Sequence, residues 1–220
     1  MVRERKPLSR RQLLQRVAAF SLLAPGLTVP YAGAESVGKK DAEKSFAWVV
    51  KHRGMVRAYK TEPVPEEKIQ RLLRYAVRAP RAGNLQPWEF VVVKSPEVRA
   101  RLTKAAMNQN AVATAPVTIV TCADIQRMGS EYGARGSFFS LVDTSFATLL
   151  ILLGAIEQDL GACFVGSYNP EEVAKVLELP PHVRPVGLLT IGYPAEQPQK
   201  PKTKKIPLSK LVHVDKWEKK

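Results

Sequence analysis

Two arginines spaced four residues apart, Arg53 and Arg57, are the first residues of the chain whose type and spacing suit ligand binding. On a helix, side chains four positions apart share a face, and two guanidinium groups can also converge at a helix end. A planar guanidinium group donates paired hydrogen bonds to phosphate oxygens and keeps donors for other acceptors. The pair therefore predicts either an anion site or two solvated charges.

A loop bounded by proline and glycine follows at residues 79–90, with the sequence Ala-Pro-Arg-Ala-Gly-Asn-Leu-Gln-Pro-Trp-Glu-Phe. The side-chain amides of Asn84 and Gln86 both donate and accept hydrogen bonds, which suits the polar edge of a flat heteroaromatic ligand. The loop runs directly into a β-rich segment. Trp88 belongs either to that ligand site or to the hydrophobic core.

The third segment, residues 161–168, reads Gly-Ala-Cys-Phe-Val-Gly-Ser-Tyr. It is a strand pattern that ends in a turn at Gly166. Backbone N–H groups of such a turn are able to face a ligand. The same pattern also describes a turn with no further role.

The common signals of other enzyme classes are missing from the sequence. It contains no GxGxxG, GxxxxGK, GxSxG or HExxH motif. Cys122 and Cys163 share no CxxC spacing and the three histidines are scattered, so no metal site is predicted. We expect both cysteines to be buried thiols, and His52, His182 and His213 to lie at the surface or in turns.

In this order, the three segments resemble the FMN-dependent nitroreductase family. The family's first motif reads Arg-Arg-Ser-x-Arg, against Arg-Gly-Met-Val-Arg at residues 53–57. Its second reads Ala-Pro-Ser-x-x-Asn-x-Gln-Pro-Trp-x-Phe, against residues 79–90. The segment 186–196 and the sequence Val-His-Val-Asp-Lys-Trp at 212–217 are also similar to the family. The resemblance covers residues 46–217.

The resemblance implies an α+β flavoprotein fold with a central, mostly antiparallel sheet flanked by helices. It also implies an intertwined homodimer with two FMN sites at the subunit interface. The arginines would contact phosphate, ribityl or pyrimidine oxygens, the loop would lie along the isoalloxazine ring, the turn would offer N–H groups to the ring edge, and the late lysines would contact phosphate. The matching residues are Arg53, Gly54, Met55, Arg57, Arg81, Ala82, Asn84, Gln86, Val165, Gly166, Lys204 and Lys205.

Three positions depart from the family motifs. Gly54 replaces the second arginine, Met55 replaces the serine of the first motif, and Arg81 replaces the serine after Pro80. Backbone contacts survive such changes, whereas side-chain contacts do not. Arg81 also places a cation near the expected flavin, where it would stabilise the anionic reduced ring or recognise an acidic substrate.

The function implied is an oxidoreductase that passes electrons through FMN to a nitroaromatic, a quinone or a similar small acceptor. Because the flavin carries the chemistry, no catalytic side chain is named. The usual donor is NAD(P)H, and an exported protein would use a quinone or another redox protein. The alternatives are a flavin-binding sensor or carrier without turnover, a cofactor-free basic interaction protein, and another reaction on the same fold, such as dehalogenation or flavin fragmentation.

Hydrophobic periodicity predicts the elements that position these segments. Helices are expected from about 46, from 65 to the residue before Pro80, and at 95–107, 137–158 and 169–179, with strands at 89–93, 117–122, 161–165 and 185–193. Helices outnumber strands without regular alternation, which favours an α+β fold over a doubly wound one. The helix at 137–158 is apolar nearly all round, which predicts both a core and a subunit interface.

The net charge of +14 raises the question of nucleic-acid partners. Residues 1–34 hold six basic side chains and one acidic side chain, so removing these residues leaves +9. The other basic residues are spread along the chain, and no basic, aromatic-interleaved motif is present. We therefore expect a solvated basic surface and no nucleic-acid partner.

The first 34 residues have the organisation of a signal peptide. The paired Arg10 and Arg11 resemble the twin-arginine motif, a modest apolar stretch follows, and Ala-Gly-Ala at 32–34 is a small-residue cleavage pattern. The stretch is too short for a stable membrane anchor. We expect a linker at 35–45, a domain at 46–220 and a periplasmic location; the alternative is a retained basic helix on a cytoplasmic protein.

We predict that the mature chain begins near Glu35 and that the twin-arginine route exports it. Replacing both arginines by lysine (R10K/R11K) keeps the charge but removes the motif, so the precursor should accumulate in the cytoplasm. Fractionation and N-terminal sequencing measure this, with the pair Lys39 and Lys40 changed to arginine as the control. Normal export of R10K/R11K would contradict the assignment.

Overall fold

The computed structural model describes residues 44–198 and 205–218. The predicted signal peptide, the predicted linker up to residue 43, and Lys204 lie outside the described residues.

The structure contains eleven main helices and strands in the described residues. They are α1 Phe46–His52, α2 Glu66–Ala76, β1 Trp88–Val93, α3 Pro96–Ala105, α4 Asn110–Thr114, β2 Val117–Asp124, α5 Ile125–Tyr132, α6 Gly136–Glu157, β3 Gly161–Val165, α7 Pro170–Val176 and β4 Val183–Gly192. Short 3₁₀ turns lie at Ala82–Asn84, Gly133–Arg135 and Leu208–Lys210.

The four strands form one sheet in the order β1-β2-β4-β3, and each of its three pairings is antiparallel. Val120 of β2 pairs with both Val91 of β1 and Leu188 of β4, and Leu188 also pairs with Val165 of β3. The predicted α+β class with a mostly antiparallel sheet is therefore confirmed. β1 and β3 are the two edge strands of this sheet.

Each face of the sheet is covered by helices. On one face, α2 and α6 pack through Leu72 and Ile151 against Ile119 and Leu189. On the other, α3 and α4 contribute Leu102 and Val112, which pack on β2 and β4 together with α7. Alternate residues along β2 face opposite layers, so the whole strand is buried, as its apolar run predicts.

Side-chain caps set several helix starts. Ser45, Ser95 and Asn169 accept hydrogen bonds from backbone N–H groups in the first turns of α1, α3 and α7. Pro65 precedes α2, whose first turn carries Glu66 and Glu67, the charge that a helix N-terminus favours.

The structure differs from the predicted elements at three places. α2 ends at Ala76 and gives way to a turn before Pro80, because a residue that precedes proline avoids the helical region. The short helices α4 and α5 were not predicted, since five and eight residues give too few periods to read from sequence. The predicted burial of Cys122 and Cys163 is confirmed.

α6 buries only one side against the sheet and α2. The described stretch Ile125–Glu157 is long and apolar enough to cross a membrane by composition, but half of its most apolar window is buried, as in a core helix. Its opposite side exposes large apolar residues to solvent, with Phe138 58% exposed. The others are Leu141, Phe146 and Leu149.

Candidate cofactor site

The first arginine motif lies in extended chain beside β3. α1 ends at His52, and Arg53 is its C-cap with extended backbone angles. Arg53 and Arg57 are both exposed, but they do not share a helical face, which corrects one of the two arrangements expected from their spacing. The departure of the chain from helical geometry at Arg53 is the physical reason.

Backbone contacts hold this extended segment in place. The Val56 N–H donates to the Ala162 carbonyl at 3.1 Å, and the Arg57 N–H donates to Oε1 of Glu196 at 3.0 Å. Nδ2 of Asn110 donates to the Arg57 carbonyl at 3.3 Å. Two hydrogen bonds thus fix the Arg57 main chain and a third fixes the preceding residue, Val56, while the Arg57 side chain is exposed.

Met55 and the third motif meet at the same sheet edge. Met55 bridges Ala162, and the Phe164 N–H lies 3.4 Å from the Met55 Sδ. Val165 is buried at the end of β3, and Gly166 follows it as an exposed residue. Gly54 is half-buried in the same segment. The structure therefore places the first and third motifs side by side.

The Arg57 cation also acts on the buried thiol of Cys163. Burial raises the pKa of Cys163, and the nearby Arg57 charge partly lowers it again. Cys163 is 2% exposed. Cys163 lies in β3, the strand that leads to Gly166. The effect of the Arg57 charge on Cys163 therefore indicates that Arg57 lies near this strand.

The loop before β1 adopts an unusual backbone conformation. Gly83, Asn84 and Gln86 have positive φ angles of 54°, 58° and 51°. Side chains other than glycine pay a steric cost in this region, so the surrounding structure must hold them there. At Gly83, an added Cβ would also lie 2.7 Å from the Tyr132 hydroxyl.

Hydrogen bonds from residues of α5 and α6 stabilise the loop in this conformation. The Ala82 N–H donates to Oδ2 of Asp143 at 2.9 Å, and Arg127 donates through Nη1 to the Gln86 carbonyl at 2.5 Å. Arg127 is in turn paired with Glu89 and, at 3.2 Å, with Asp124. The loop is therefore clamped near both of its ends.

Sequence reasoning missed these supporting residues. Asp143 is the only charged residue between Gly136 and Ile156, which is the signal that could have identified it. It is 3% exposed, and burial raises its pKa, although the Ala82 N–H opposes the shift. A buried carboxyl group needs such a partner. Arg127 gave no signal, because α5 itself was not predicted.

Arg81 is engaged within the loop. Its Nε donates to Oδ1 of Asn84 at 2.6 Å, and its guanidinium carbon lies 6.0 Å from the centroid of the Trp88 ring. Trp88 is 6% exposed, so it is a core residue that also supports the loop. Arg81 and Asn84 are exposed.

The two groups of predicted residues lie at opposite edges of the sheet. Residues 53–57 and 165–166 accompany β3, whereas residues 81–86 precede β1. Three inter-strand spacings of about 4.8 Å separate the edge strands, about 14 Å in all. One chain therefore presents two half-sites.

The described part of the C-terminal tail is exposed. Lys205 lies there, but Lys204 falls outside the described residues. The tail exposes several large apolar side chains, with Leu208 and Trp217 each more than 70% exposed; the others are Ile206, Leu211, Val212 and Val214.

The described residues contain no cluster of three or more His, Cys, Asp or Glu side chains that would hold a metal ion. His52 is exposed at the end of α1, His182 lies half-buried in a turn, and His213 lies half-buried in the tail, as predicted.

Comparison with known proteins places these motifs in a family. A family model described as "Nitroreductase family" matches residues 50–114 and 103–193. The NADH dehydrogenase of Thermus thermophilus is 32% identical over 188 residues, covering 73% of this chain and 91% of the relative. The FMN reductase [NAD(P)H] of Bacillus subtilis is 29% identical over 163 residues, covering 68% of this chain and 65% of the relative.

The fold is also found among solved structures. Nitroreductase A from Vibrio parahaemolyticus superimposes with a TM-score of 0.73 and 24% identity, covering 81% of this chain and 78% of that one. The similarity shows a shared fold.

We predict that Asp143→Asn changes the pH dependence of stability. Because burial raises the pKa of Asp143, its ionisation opposes folding, and the wild type loses stability as pH rises from the unfolded pKa through the folded one. The asparagine side chain of the variant would still accept from Ala82 and cannot ionise. The free energy of unfolding of the variant minus that of the wild type should therefore increase with pH and then level off.

Urea denaturation between about pH 3.5 and 8, at constant protein concentration, measures this difference. The exposed Glu131→Gln on α5 is the control. If this difference in the free energy of unfolding stays constant or decreases with pH, ionisation of Asp143 does not destabilise the folded protein.

Proposed function

The chain belongs to the nitroreductase family, and on that basis we propose that it passes electrons through FMN from a reduced donor to a nitroaromatic, a quinone or a similar small acceptor. It is an FMN-dependent oxidoreductase of this family. The clamped loop at residues 81–86 is the observation that carries the proposal. Strained backbone persists where the surrounding structure enforces it, and such places cluster at ligand sites.

The donor set of the described residues fits FMN. Arg53 and Arg57 are exposed cations beside a strand, of the type that binds a phosphate. The exposed turn at Gly166 offers backbone groups, and Asn84 and Gln86 offer amides for the pyrimidine edge. Gly54 and Met55 donate no charge, so their contribution is limited to main chain and packing.

Bound FMN supplies the two-electron chemistry. The protein's part is to bind and orient it. Asp143 and Arg127 fix the loop that would lie along the ring, and the Val56 and Arg57 main-chain contacts fix the segment that would meet the phosphate. Groups held in advance bind without a further loss of conformational freedom.

We propose that two copies of the chain build each flavin site. The half-sites on β1 and β3 lie at opposite sheet edges, so the β3 half-site of one copy would meet the β1 loop of another. The exposed side of α6 and the apolar tail supply surface for such a homodimer. Exposed large apolar side chains in such number are typical of an interface.

The donor and the location follow from the N-terminal motif. If Arg10 and Arg11 direct export, the protein works in the periplasm, where a quinone or a redox protein replaces NAD(P)H as donor. A cytoplasmic protein would use NAD(P)H, which the names of related proteins favour. Steady-state reduction assays with each donor class distinguish these, and turnover with any of them excludes a non-catalytic flavin carrier.

We predict that Arg57→Ala weakens FMN binding about ten- to a hundredfold. A charge-assisted hydrogen bond contributes about 1.5–3 kcal/mol, and about 1.4 kcal/mol is tenfold in affinity. Arg57→Lys should restore only part, because lysine keeps the charge but loses the planar fork. Fluorescence quenching of FMN by the apo-protein measures the dissociation constant.

Arg71→Ala is the control, since it removes an equal charge from an exposed position on α2 that belongs to neither half-site. An unchanged dissociation constant for Arg57→Ala would remove this residue from the site. Isolation of the wild-type protein with FAD, or without flavin after reconstitution, would overturn the proposed cofactor.

A further inference from the structure

We propose that Arg81 is a specificity-determining residue that recognises a carboxylate or similar anionic group on the electron acceptor. The inference rests on the proposed function, because it assumes that the loop at residues 81–86 borders the flavin. Beyond the proposed function, the inference names the chemical class of the acceptor, an anionic one. Arg81 is a departure from the family motif, so family membership does not supply this role.

The hydrogen bonds of Arg81 leave its outer edge without a protein partner among the described residues. A guanidinium group has five N–H donors. Nε donates to Asn84, and Nη1 makes a long contact of 3.4 Å with the Ala79 carbonyl. The Nη2 donors and one Nη1 donor therefore remain for solvent or a ligand. These donors form the edge that matches a carboxylate in a two-point contact.

The guanidinium group is also held in one orientation. Asn84 fixes one edge at 2.6 Å, and the ring of Trp88 lies 6.0 Å from the guanidinium carbon, within the range of a cation–π contact. Trp88 is buried and cannot move away. An arginine held in this way loses less side-chain freedom on binding an anion than a mobile surface arginine does.

No acidic side chain of the described residues forms an ion pair with Arg81. Asp143 accepts from the Ala82 N–H, while Glu89 and Asp124 pair with Arg127, so none of these three acids is a hydrogen-bond or ion-pair partner of Arg81. Arg81 is also the only charged residue of the loop at residues 81–86, so its guanidinium group is the one that would meet an anion there.

The test compares two acceptors of nearly identical shape, 4-nitrobenzoate and the neutral 4-nitrobenzamide. Photoreduced FMN-loaded protein is mixed with each acceptor, and reoxidation of the flavin is followed by stopped-flow absorbance. The measured quantity is the second-order rate constant for 4-nitrobenzoate divided by that for 4-nitrobenzamide. A ratio cancels any common effect of a substitution on the flavin or the loop.

Arg81→Gln should lower that ratio about tenfold, and Arg81→Lys should lower it less, because lysine keeps the charge without the fork. Arg71→Gln, an exposed arginine on α2, should leave the ratio unchanged. A binding readout accompanies the rates. Titration of the oxidised protein with benzoate and benzamide, followed by flavin absorbance, should show the same change in the ratio of dissociation constants.

A fall of about fivefold or more in both ratios for Arg81→Gln supports the inference, and a smaller fall in either overturns it. An equal loss of rate with both acceptors leaves the ratio unchanged, so it also overturns the inference. Arg81 would then act on the anionic reduced flavin ring. Failure of the proposed function looks different. In that case the wild-type protein binds no FMN, or its reduced flavin passes electrons to neither acceptor.

Discussion

The backbone hydrogen-bond ladder between β2 and β4 is the interaction on which the rest of the structure depends. It places β2, which is buried throughout, and β4, which is buried from Gly187 onward, at the centre of the sheet and leaves β1 and β3 as the edges. The residues suited to bind a flavin are attached to those edges. Helices cover both faces of the sheet centre, and the strand order places the two half-sites at opposite edges of one chain.

The second constraint is the conformation of the loop before β1. Three of its residues have left-handed backbone angles, which cost energy unless the surroundings enforce them. Asp143 reaches the loop from α6, and Arg127 reaches it from α5. The same helix α6 that fills the core with its inner side therefore positions the loop, while its outer side exposes large apolar side chains.

Much of this could be predicted from sequence because the signals were local. The apolar run at 117–122 and the long apolar helix at 137–158 gave β2 and α6 to within two residues, and the Asn-x-Gln-Pro-Trp segment marked the loop. The support of the loop could not be predicted, since Asp143 is 61 positions from Ala82 and Arg127 is 41 from Gln86. Such contacts depend on the packing of α5 and α6, which no spacing rule gives. The cofactor-binding roles of the individual site residues, Lys204 and Lys205 included, and the export of the chain stay predictions.

A mixed dimer tests the central claim, that each flavin site is shared between two chains. Arg57→Ala damages the β3 half-site, and Gly83→Val damages the β1 loop, because its Cβ would lie 2.7 Å from the Tyr132 hydroxyl at a φ of 54°. The two variants are co-expressed with different tags and purified through both. If sites are shared, one site of the mixed dimer carries both changes and the other carries none, so it should bind one FMN per dimer with wild-type affinity. If each chain holds its own site, every site of the mixed dimer carries one change. A mixed dimer with no FMN site of wild-type affinity would therefore contradict the account.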